Sequence, residues 1–413
     1  MSSEIEYKLS SIDWLNKIPS HWTAYRLANT GTFSKGKGIA KADIIEDGKP
    51  AILYGDIYTR YSIVTDSLER RVSDETAANA VPIYQGDLLF TGSGETPIDI
   101  GRCVCYTGTE TGYAGGDIII YRQNEIDGKF LSYMFNSFYL DQQKAVLAKG
   151  GIIIHIYSSQ LKSIKFPLPP RKEQHQIATY LDRETARIDA LIDAKERLLR
   201  VLEEKRSVMI AEAVTRGLNA DVRMKDSGVD WLGEVPEHWE VVPIKYLADL
   251  KSGNTISPLD IDEEEEYPVY GGNGFRGYTK DYTHNGLYAL IGRQGALCGN
   301  INYAEGKFWA SEHAIVVDPK PEVNTIWLGE VLREMNLNQY SISAAQPGLS
   351  VDRIKNIFIP SPPVTEQKKI ADYITEIISS HEQLGDKLND SINLLSERRS
   401  SLITSAVTGA INV

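Results

Sequence analysis

The chain has 413 residues, 42% of them hydrophobic and 24% charged, which indicates a folded globular protein of two or three domains and excludes a disordered or fibrous one. The apolar runs are too short to cross a membrane, and the acidic N-terminal residues lack a secretory signal, so we expect a cytoplasmic protein. The net charge of -12 argues against a strongly basic surface, although it does not fix how the charges are distributed.

Two blocks of sequence occur twice, each at a constant offset. The opening DWLNKIPSHW at 13–22 recurs as DWLGEVPEHW at 230–239, an offset of 217. The block that begins with the double proline at 169–170 recurs from 362–363, an offset of 193. The stretches between the blocks are dissimilar, and the first is longer by 24 residues (217 minus 193). Constant frames around variable inserts predict a protein that recognises two different targets, the alternative being an old duplication that only enlarges the fold.

The first insert, residues 23–164, mixes short β-rich runs with glycine turns, which is typical of a small α/β or mainly β module. Recognition residues are usually carried by loops. Polar, basic and aromatic side chains near glycines are therefore the candidates for contact with a target here, matching the DNA-contact candidates of the second insert below: Lys35, Lys37, Arg60, Tyr61, Ser93, Thr96 and Arg102. For any single one, a tight-turn or surface role is an equally good interpretation.

A long helix is predicted at 171–216, because a double proline fits the entry of a helix but not its interior. Apolar residues recur along it at steps of three, four and seven, close to a heptad seam. The seam consists of Ile177, Leu181, Ile188, Leu191, Leu198, Leu202, Met209 and Ala213. Gly217 follows the seam at a position where a left-handed cap can end the helix.

The second insert, residues 240–355, has the same glycine-rich β pattern. Arginine reads guanine, and asparagine or glutamine reads adenine, through paired hydrogen bonds in the major groove. Side chains of these types, with tyrosines, lie among the glycines of two segments, YGGNGFRGY at 270–278 and GRQGALCGN at 292–300. The candidates for DNA contact are Tyr270, Asn273, Arg276, Tyr278, Arg293, Gln294 and Asn300.

A matching helix is predicted at 364–409, and its seam consists of Ile370, Ile374, Ile377, Leu384, Leu388, Leu395, Leu402 and Ala406. Gly409 again follows the seam. At 1.5 Å per residue, about 45 residues of helix would span roughly 65 to 70 Å. Two helices of matched length predict an antiparallel coiled-coil bar, the alternative being two separate helices that each cover their own domain.

Some segments resemble catalytic or metal-binding motifs but lack a residue that the motif requires. The phosphate-loop-like segment 31–38 has Gly38 where a hydroxyl must hold magnesium. Cys103, Cys105 and Cys298 are too few and too badly spaced for a zinc site or a disulfide framework, so we expect reduced thiols packed as small apolar groups. The seven histidines form no ligand cluster, and we therefore predict no metal site.

The repeated DW-L-x-x-(I/V)-P-x-HW openings, the PP-x-x-EQ-x-x-IA helix entries and the YGGNG…GRQGALCGN segments closely resemble the specificity subunit of type I restriction-modification systems. The resemblance covers nearly the whole chain and is weakest in the first insert. It implies two target-recognition domains, each reading one half of an asymmetric bipartite site on double-stranded DNA. The helices are then a ruler for the unspecified spacer between the half-sites.

The resemblance also implies partners: two methylation subunits that bring S-adenosylmethionine, and restriction subunits that use ATP and Mg²⁺ and cut DNA. This chain would then be non-catalytic and hold no cofactor itself. The expected partner-binding residues lie at the helix entries: Glu173, Gln174, Ile177, Glu366, Gln367 and Ile370.

The predicted fold class is α+β, with two α/β target-recognition domains separated by two long antiparallel helices in a pseudo-twofold repeat. The expected boundaries are 1–165 and 221–358 for the recognition domains, and 166–220 and 359–413 for the helices. The alternatives are a stand-alone DNA-binding scaffold, or the specificity subunit of a related combined restriction-modification enzyme. A self-sufficient enzyme would need a further methyltransferase domain of about 250 to 300 residues, for which the chain has no room.

Overall fold

The computed structural model describes residues 6–295, 297–341 and 348–413. They form two compact units, the first assembled from two separate parts of the sequence and the second from one continuous part. Unit 1 contains Met1–Lys195 and Asp390–Val413, and unit 2 contains Glu196–Asn389. In the part of the chain that the structure describes, no helix is both long and apolar enough to cross a membrane.

Unit 1 begins with a hairpin and continues into a module built mainly on two sheets, residues 23–168, which we call the first module. The strands of unit 1 are β1 Tyr7–Ile12, β2 Leu15–Pro19, β3 Thr23–Arg26, β4 Thr32–Lys35, β5 Lys49–Ile52, β6 Val64–Thr65, β7 Arg70–Val72, β8 Val81–Ile83, β9 Leu88–Thr91, β10 Ser93–Gly94, β11 Cys103–Tyr106, β12 Gly112–Ala114, β13 Ile118–Arg122, β14 Lys149–Gly150, β15 Ile154–His155 and β16 Lys165–Leu168. Its helices are α1 Tyr54–Thr59, α2 Asp74–Asn79, α3 Gly128–Phe135, α4 Phe138–Leu147, α5 Ser158–Leu161 and the start of α6 Arg171–Arg216.

The first module is built on a five-stranded sheet, in the order β4-β13-β9-β11-β6, and a four-stranded sheet, in the order β7-β5-β12-β8. Strand β13 reads Ile-Ile-Ile-Tyr and is buried along that run, as expected for a strand covered on both faces. Its Ile119 and Tyr121 pack in one hydrophobic core, and Ile118 and Ile120 pack in another. The strand ladder β3–β16 closes the module at the point where its two ends meet.

Unit 2 contains the second module, residues 240–361, on a matching plan. The strands of unit 2 are β17 Met224–Asp226, β18 Glu234–Pro236, β19 Glu240–Pro243, β20 Ala248–Ser252, β21 Tyr267–Gly271, β22 Gly274–Thr279, β23 His284–Asn285, β24 Tyr288–Gly292, β25 Ile301–Ala304, β26 Lys307–Ala310, β27 Ala314–Pro319 and β28 Phe358–Ser361. The helices are α7 Thr325–Glu334, α8 Val351–Ile354 and the start of α9 Val364–Val407. The sheets have the orders β20-β27-β24-β25 and β22-β21-β26-β23, and the ladder β19–β28 closes the module.

The two modules share one topology although their sequences differ. Strands β4, β13, β9 and β11 match β20, β27, β24 and β25, and strands β7, β5, β12 and β8 match β22, β21, β26 and β23. Four hydrogen bonds from a backbone N–H to a backbone carbonyl recur in both modules and identify equivalent residues. The bond from Gly36 to Ile118 corresponds to that from Gly253 to Ala314, and the bond from Lys37 to Ala114 corresponds to that from Asn254 to Ala310. The bond from Gly92 to Asp117 corresponds to that from Arg293 to His313, and the bond from Gly115 to Ile52 corresponds to that from Ser311 to Tyr270. Strand pairing, rather than side-chain identity, is thus what the two inserts have in common.

The recurring hydrogen bonds also locate most of the length difference. The offset between equivalent residues is 218 at Ile52 and 201 at Gly92, so the first module has 17 extra residues in this stretch. Helices α1 and α2 lie there, whereas the second module makes a direct hairpin of β21 and β22. The extra length therefore decorates the four-stranded sheet and leaves the shared strands in place.

Both long helices form where they were predicted. Helix α6 has 46 residues and begins directly after Pro170, and α9 has 44 residues and begins directly after Pro363. Gly217 and Gly409 have φ angles of 79° and 75°, so each is in the left-handed conformation that ends a helix. The prediction of two helices capped by these glycines is confirmed.

Each unit contains the start of one long helix packed against the end of the other. In unit 1, Ile177 and Leu181 of α6 share a core with Ile403 and Val407 of α9, and Arg399 donates two hydrogen bonds, of 2.8 and 3.3 Å, to the carboxylate of Asp189. These pairings make the two segments antiparallel. The same arrangement holds in unit 2, where the end of α6 at Ala213 and Val214 packs with the start of α9 at Ile370 and Ile374.

The predicted seams are buried near the modules but not along their whole length. Ile177, Leu181 and Ile188 are buried in unit 1, and Ile370, Ile374 and Ile377 are buried in unit 2. Leu191, Leu198 and Leu384 are exposed instead, each by more than 40% of its surface. The heptad pattern thus predicted the helices correctly but overestimated how continuously their apolar residues are covered.

Candidate nucleic-acid interface

Three connecting segments converge at one end of the sheets in each module. In the second module they are residues 253–254 after β20, 293–294 after β24 and 311–313 between β26 and β27, which we call the second loop cluster. Gly253 allows this convergence, because an added methyl group there would lie 2.3 Å from the carbonyl oxygens of Ala310 and Ser311. The backbone bonds Asn254 N to Ala310 O, 2.8 Å, and Arg293 N to His313 O, 2.9 Å, tie the three segments together.

The side chains of the second loop cluster are polar and neutral, apart from Arg293 and the Glu312–His313 pair. Asn254 and Gln294 are exposed, and His313 is half-buried. His313 Nδ1 lies 3.3 Å from Gln294 Oε1, and His313 Nε2 lies 3.3 Å from a carboxylate oxygen of Glu312. This pairing holds the Gln294 amide at the surface, where its NH₂ group can still donate and its carbonyl oxygen has a second lone pair.

The first loop cluster consists of the equivalent residues 35–37, 92–93 and 115–117. Gly36 again permits the approach, because an added methyl group would lie 2.1 Å from Gly115 O. The exposed Lys35 lies 3.3 Å from the carboxylate of Asp117, and Lys37 is exposed two residues further on. The first cluster therefore presents full charges, Lys37 and Asp117, at the positions where the second presents an amide and an imidazole, Asn254 and His313.

Only part of the candidate set in the first insert belongs to this cluster. Lys35 and Lys37 lie in it at the surface, but Ser93 is 4% exposed and its Oγ lies 2.9 Å from His155 Nδ1. Thr96 donates to Asp99 outside the cluster, and Arg102 lines a separate cleft beside helix α9 with Asp99.

Arg60 and Tyr61 lie away from the first cluster, at the end of α1. The Arg60 guanidinium pairs with Asp56 and Glu69, and the Tyr61 hydroxyl accepts a hydrogen bond from Glu69 N at 2.9 Å. Tyr61 is 9% exposed, so its ring is part of the module core. For these two residues the structure favours the surface-and-turn interpretation over DNA contact.

The candidates of the second insert lie closer together. Arg293 and Gln294 belong to the second loop cluster, and Asn300 follows in the same connection, where its backbone oxygen accepts from Gly292 N. Asn273 is exposed at the turn of the β21–β22 hairpin, and Gly272 brings that turn against His313 O. Tyr270, Arg276 and Tyr278 lie on the same hairpin, with Arg276 exposed and the two tyrosines half-buried.

Sequence reasoning missed three residues of the clusters, Asp117, Asn254 and His313. Each lies one or two residues from a glycine or small residue that allows two segments to approach, such as Gly115 and Gly253. The runs Gly115-Gly116-Asp117 and Gly253-Asn254 carried this signal in the sequence. They were not singled out, because glycine neighbours alone do not show which loops meet.

The residues predicted to bind partners are instead engaged inside their own units. In unit 1, Glu173 Oε1 accepts from Trp22 Nε1 at 2.9 Å, and His21 Nε2 lies 2.8 Å from Glu173 Oε2. Gln174 accepts from Asp127 N and donates to Pro169 O, both at 2.8 Å. Because Gln174 and Ile177 are almost fully buried, they cannot reach a partner surface, and the prediction is corrected for them.

Unit 2 repeats these contacts at the offset positions. Trp239 Nε1 donates to Glu366 Oε2 at 3.0 Å, and Gln367 accepts from Asn324 N at 3.1 Å and donates to Pro362 O at 2.9 Å. Gln367 and Ile370 are buried, so the correction applies to them as well. The repeated motifs thus form two joints, one in each unit, that fix the start of a helix to its module.

The end of the other helix completes each joint. Gly409 packs on Trp22 and on Pro19, since an added methyl group would lie 2.6 Å from Pro19 Cδ. Gly217 packs in the same way on Trp239 and Glu366 in unit 2. The recurrence of HW, EQ and the terminal glycine in the sequence is therefore the recurrence of one packing arrangement.

The cysteines match the expectation of free, buried thiols. Cys103, Cys105 and Cys298 are all free and buried. Burial raises the pKa of the Cys103 and Cys105 thiols to about 12, so both are neutral and poor nucleophiles at physiological pH. Among the described residues, no group of three or more histidine, cysteine, aspartate and glutamate side chains is placed to hold a metal ion.

Comparison with known proteins identifies the family. Residues 19–202 and 236–394 match the type I restriction modification DNA specificity domain, so each match contains one module and part of a long helix. The chain belongs to this family. The two matches correspond to the two halves of the repeat, and together they cover most of the chain.

Curated relatives carry the same family name. The chain is 41% identical over 159 residues to the type I restriction enzyme EcoprrI specificity subunit of Escherichia coli, an alignment that covers 38% of each chain. It is 28% identical over 243 residues to the type I restriction enzyme MjaVIII specificity subunit of Methanocaldococcus jannaschii, covering 57% of this chain and 51% of that one. These alignments span about half or less of the relatives' length.

Solved structures share the fold over nearly the whole chain. A chain from a structure on complex assembly and conformational transition of the type I R-M system has a TM-score of 0.77 at 16% identity, covering 95% of this chain and 99% of that one. The HsdS subunit from Thermoanaerobacter tengcongensis has a TM-score of 0.58 at 17% identity, covering 95% and 98%. At these identities the likeness supports the fold, with its two modules and long helices.

Proposed function

We propose that this chain is the DNA sequence-specificity subunit of a type I restriction-modification complex, in which each module reads one half of a bipartite, asymmetric site on double-stranded DNA. One observation carries the proposal. The two modules have the same topology and the same backbone hydrogen bonds at their loop clusters, yet the side chains at equivalent cluster positions differ. A constant scaffold with different side chains at one surface is what reading two different half-sites requires.

The acidic charge of the chain is compatible with this function if partners supply much of the phosphate contact. Residues 11–164 carry 15 basic and 17 acidic side chains, and residues 222–357 carry 12 and 20. Phosphate neutralisation dominates the affinity of proteins for DNA, whereas base contacts determine the sequence. The subunit therefore contributes sequence reading more than affinity, and it binds DNA tightly only within its complex.

The methylation subunits dock on the long helices and bring S-adenosylmethionine, and the restriction subunits bring ATP-dependent cleavage with Mg²⁺. This chain has no catalytic role in the proposal. Within unit 2, the exposed Leu198, Val201 and Val208 of α6 are spaced by three and seven residues and so share one helix face. This apolar face replaces the buried helix entries as the candidate docking surface for a methylation subunit.

Module exchange tests the proposal directly. Residues 244–356 of the second module are replaced by the equivalent segment of a relative, which keeps the ladder β19–β28 and the joint intact. Methylated adenines are then mapped across a host genome that carries the complex. We expect one half-site to change and the other to stay, because the loop clusters belong to separate modules.

Two results would contradict the proposal. A change in both half-sites would show that the modules do not read DNA independently. Absence of any methylated motif with the full complex, together with DNA binding by the chain alone, would favour the stand-alone scaffold.

The helices are proposed to set the spacer between the half-sites, and the unit boundaries show where to lengthen them. An insertion directly after Gly217 falls beyond the end of α6 and leaves the helix unchanged. Four residues inserted between Lys195 and Glu196, with four between Asn389 and Asp390, instead add about 6 Å to each helix. We expect the half-sites to be kept and the spacer to lengthen by about two base pairs of roughly 3.4 Å rise. An unchanged spacer with full methylation would mean that the partner subunits set the distance.

A further inference from the structure

The recurring hydrogen bonds allow the two loop clusters to be compared position by position. Lys37 is equivalent to Asn254, because each backbone N–H donates to the alanine that ends the matching strand. Asp117 is equivalent to His313, because the backbone carbonyl of each accepts from the backbone N–H of the residue that directly follows β9 or β24. Ser93 is equivalent to Gln294, because each is the next residue along the chain and forms an antiparallel β-bridge. Ser93 pairs with His155, and Gln294 pairs with Gly348.

The side chains differ at all three of these equivalent positions. In the first cluster, Lys35 and Lys37 can only donate hydrogen bonds and Asp117 can only accept them. In the second cluster, Asn254 and Gln294 each carry one donor group and one acceptor on the same amide.

The major-groove edges of G·C and A·T base pairs are complementary to different ones of these side chains. Guanine presents two acceptors, O6 and N7, and its partner cytosine presents the N4 amino donor. Adenine presents a donor and an acceptor side by side, N6 and N7, which a carboxamide matches with two hydrogen bonds. A lysine with an aspartate is therefore complementary to a G·C pair, and an asparagine or glutamine is complementary to the adenine of an A·T pair.

We propose that the first module reads a G·C pair through Lys37 and Asp117, and that the second module reads an A·T pair through Asn254 and Gln294. This inference rests on the proposed function and adds the bases to it. His313 is a positioning residue, because its contact with Gln294 Oε1 fixes the amide without occupying the NH₂ group. Ser93 is not part of the reading set, because it is buried against His155.

The geometry leaves these side chains available to DNA, and Asp117, which also pairs with Lys35, keeps 46% of its side-chain surface exposed. Lys37, Asn254 and Gln294 are exposed, and each lies at the end of its module where three connections meet rather than on the joint. Among the described residues, no carboxylate lies within ion-pair distance of Arg276 or Arg293, so Arg293 in the second cluster and Arg276 on the neighbouring hairpin are available for phosphate.

Exchange of the equivalent residues tests the proposal. Lys37→Asn, Asn254→Lys and Gln294→Ala are introduced one at a time into the full chain, and the complex with its methylation subunits is used to map methylated adenines. Loss of a paired contact to a base reduces discrimination by about ten- to a hundred-fold. Lys37→Asn should relax one G·C position of the first half-site, and Asn254→Lys and Gln294→Ala should relax an A·T position of the second.

Two matched control variants make the same changes of charge at the opposite ends of the strands. Lys49→Asn lies at the start of β5, and Asn285→Lys lies opposite the start of β26. Neither should alter the motif. DNA with 7-deazaadenine or 7-deazaguanine at the assigned positions provides a second measurement, because it lacks the N7 acceptor. The 7-deazaadenine should weaken binding of the wild-type complex but have little effect on the Gln294→Ala variant.

The outcomes separate this inference from the proposed function. A wild-type complex without a bipartite motif would refute the proposed function itself. A wild-type bipartite motif that Lys37→Asn, Asn254→Lys and Gln294→Ala leave unchanged, or change no more than the controls do, would refute only the assignment of bases. Thermal unfolding of each variant within a degree or two of the wild type shows that altered reading is not a folding defect.

Discussion

The joint of unit 1 provides a sharp test of how the frame is held together. Glu173→Ala removes the acceptor of the Trp22 indole N–H, and Trp22 is 1% exposed, so the N–H is left buried without a partner. Leaving such a donor unpaired costs about 1 to 3 kcal/mol. The second contact, with the half-exposed His21, contributes at most about 1 kcal/mol. We therefore expect Glu173→Ala to destabilise unit 1 by about 1 to 4 kcal/mol, and Glu173→Gln, which keeps an acceptor, to cost less.

A double-mutant cycle isolates this hydrogen bond. Trp22→Phe removes the N–H but keeps an aromatic ring, so in that background Glu173→Ala should cost only the His21 contact. The measurement is hydrogen exchange during a urea titration. Peptides from the start of α6 report on unit 1 and peptides from the start of α9 report on unit 2. They are followed separately because two units need not unfold in one transition. Glu366→Ala is the matched variant, since Glu366 makes the same bond to Trp239 in unit 2.

The result that would refute this reasoning is specific. If Glu173→Ala costs as much with Phe at position 22 as with Trp, the indole bond does not contribute and the repeated residues have another role. If Glu173→Ala destabilised unit 2 as much as Glu366→Ala does, this would also contradict the view that each joint acts within its own unit.

Three further predictions follow from buried and exposed groups. Cys103 and Cys105, with thiol pKa values raised to about 12 by burial, should resist iodoacetamide at pH 8 in the native protein and react fully in urea, as read by mass spectrometry; rapid native labelling would show that the module core opens. Lys144→Ala should destabilise unit 1 by about 3 to 5 kcal/mol, because the fully buried Lys144 Nζ is the partner of the half-buried Asp141 carboxylate, at 2.8 Å, and donates to the carbonyl oxygens of Gly101 and Phe135; urea unfolding with less than about 1 kcal/mol of change would refute this. Val201→Asp with Val208→Asp should change stability by no more than about 0.5 kcal/mol each, because both are exposed, yet abolish co-purification of a methylation subunit. Unaltered co-purification would move the docking surface away from this face of α6.

The frame of the molecule could be predicted from sequence because its signals are local. Proline pairs, a heptad-like spacing and terminal glycines indicated α6 and α9 to within a few residues of their observed ends. What these residues contact was not local information. Glu173 and Trp22 are 151 positions apart, and only their joint recurrence as Glu366 and Trp239 hinted that they meet.

The candidate site was predicted less completely for a related reason. Lys35, Lys37 and Gln294 were found because glycines flank them, and the structure places all three in the loop clusters. Arg60 satisfied the same rule but pairs with Asp56 and Glu69, which no local pattern reveals. The equivalence of Lys37 with Asn254 rests on backbone hydrogen bonds between segments more than 50 residues apart, so neither composition nor side-chain similarity could show it.

The separation of joint and loop clusters has a consequence for how recognition can change. Each joint uses residues of the repeated frame, such as Trp22, Glu173 and Gly409, and buries them. The proposed reading residues Lys37, Asn254 and Gln294 are exposed, and substitutions at such positions usually change stability by no more than about 0.5 kcal/mol. New side chains can therefore be tried at the clusters while the helices stay fixed to the modules. The two inserts can thus diverge to unrelated sequences while the frame keeps the same residues at offsets of 217 and 193.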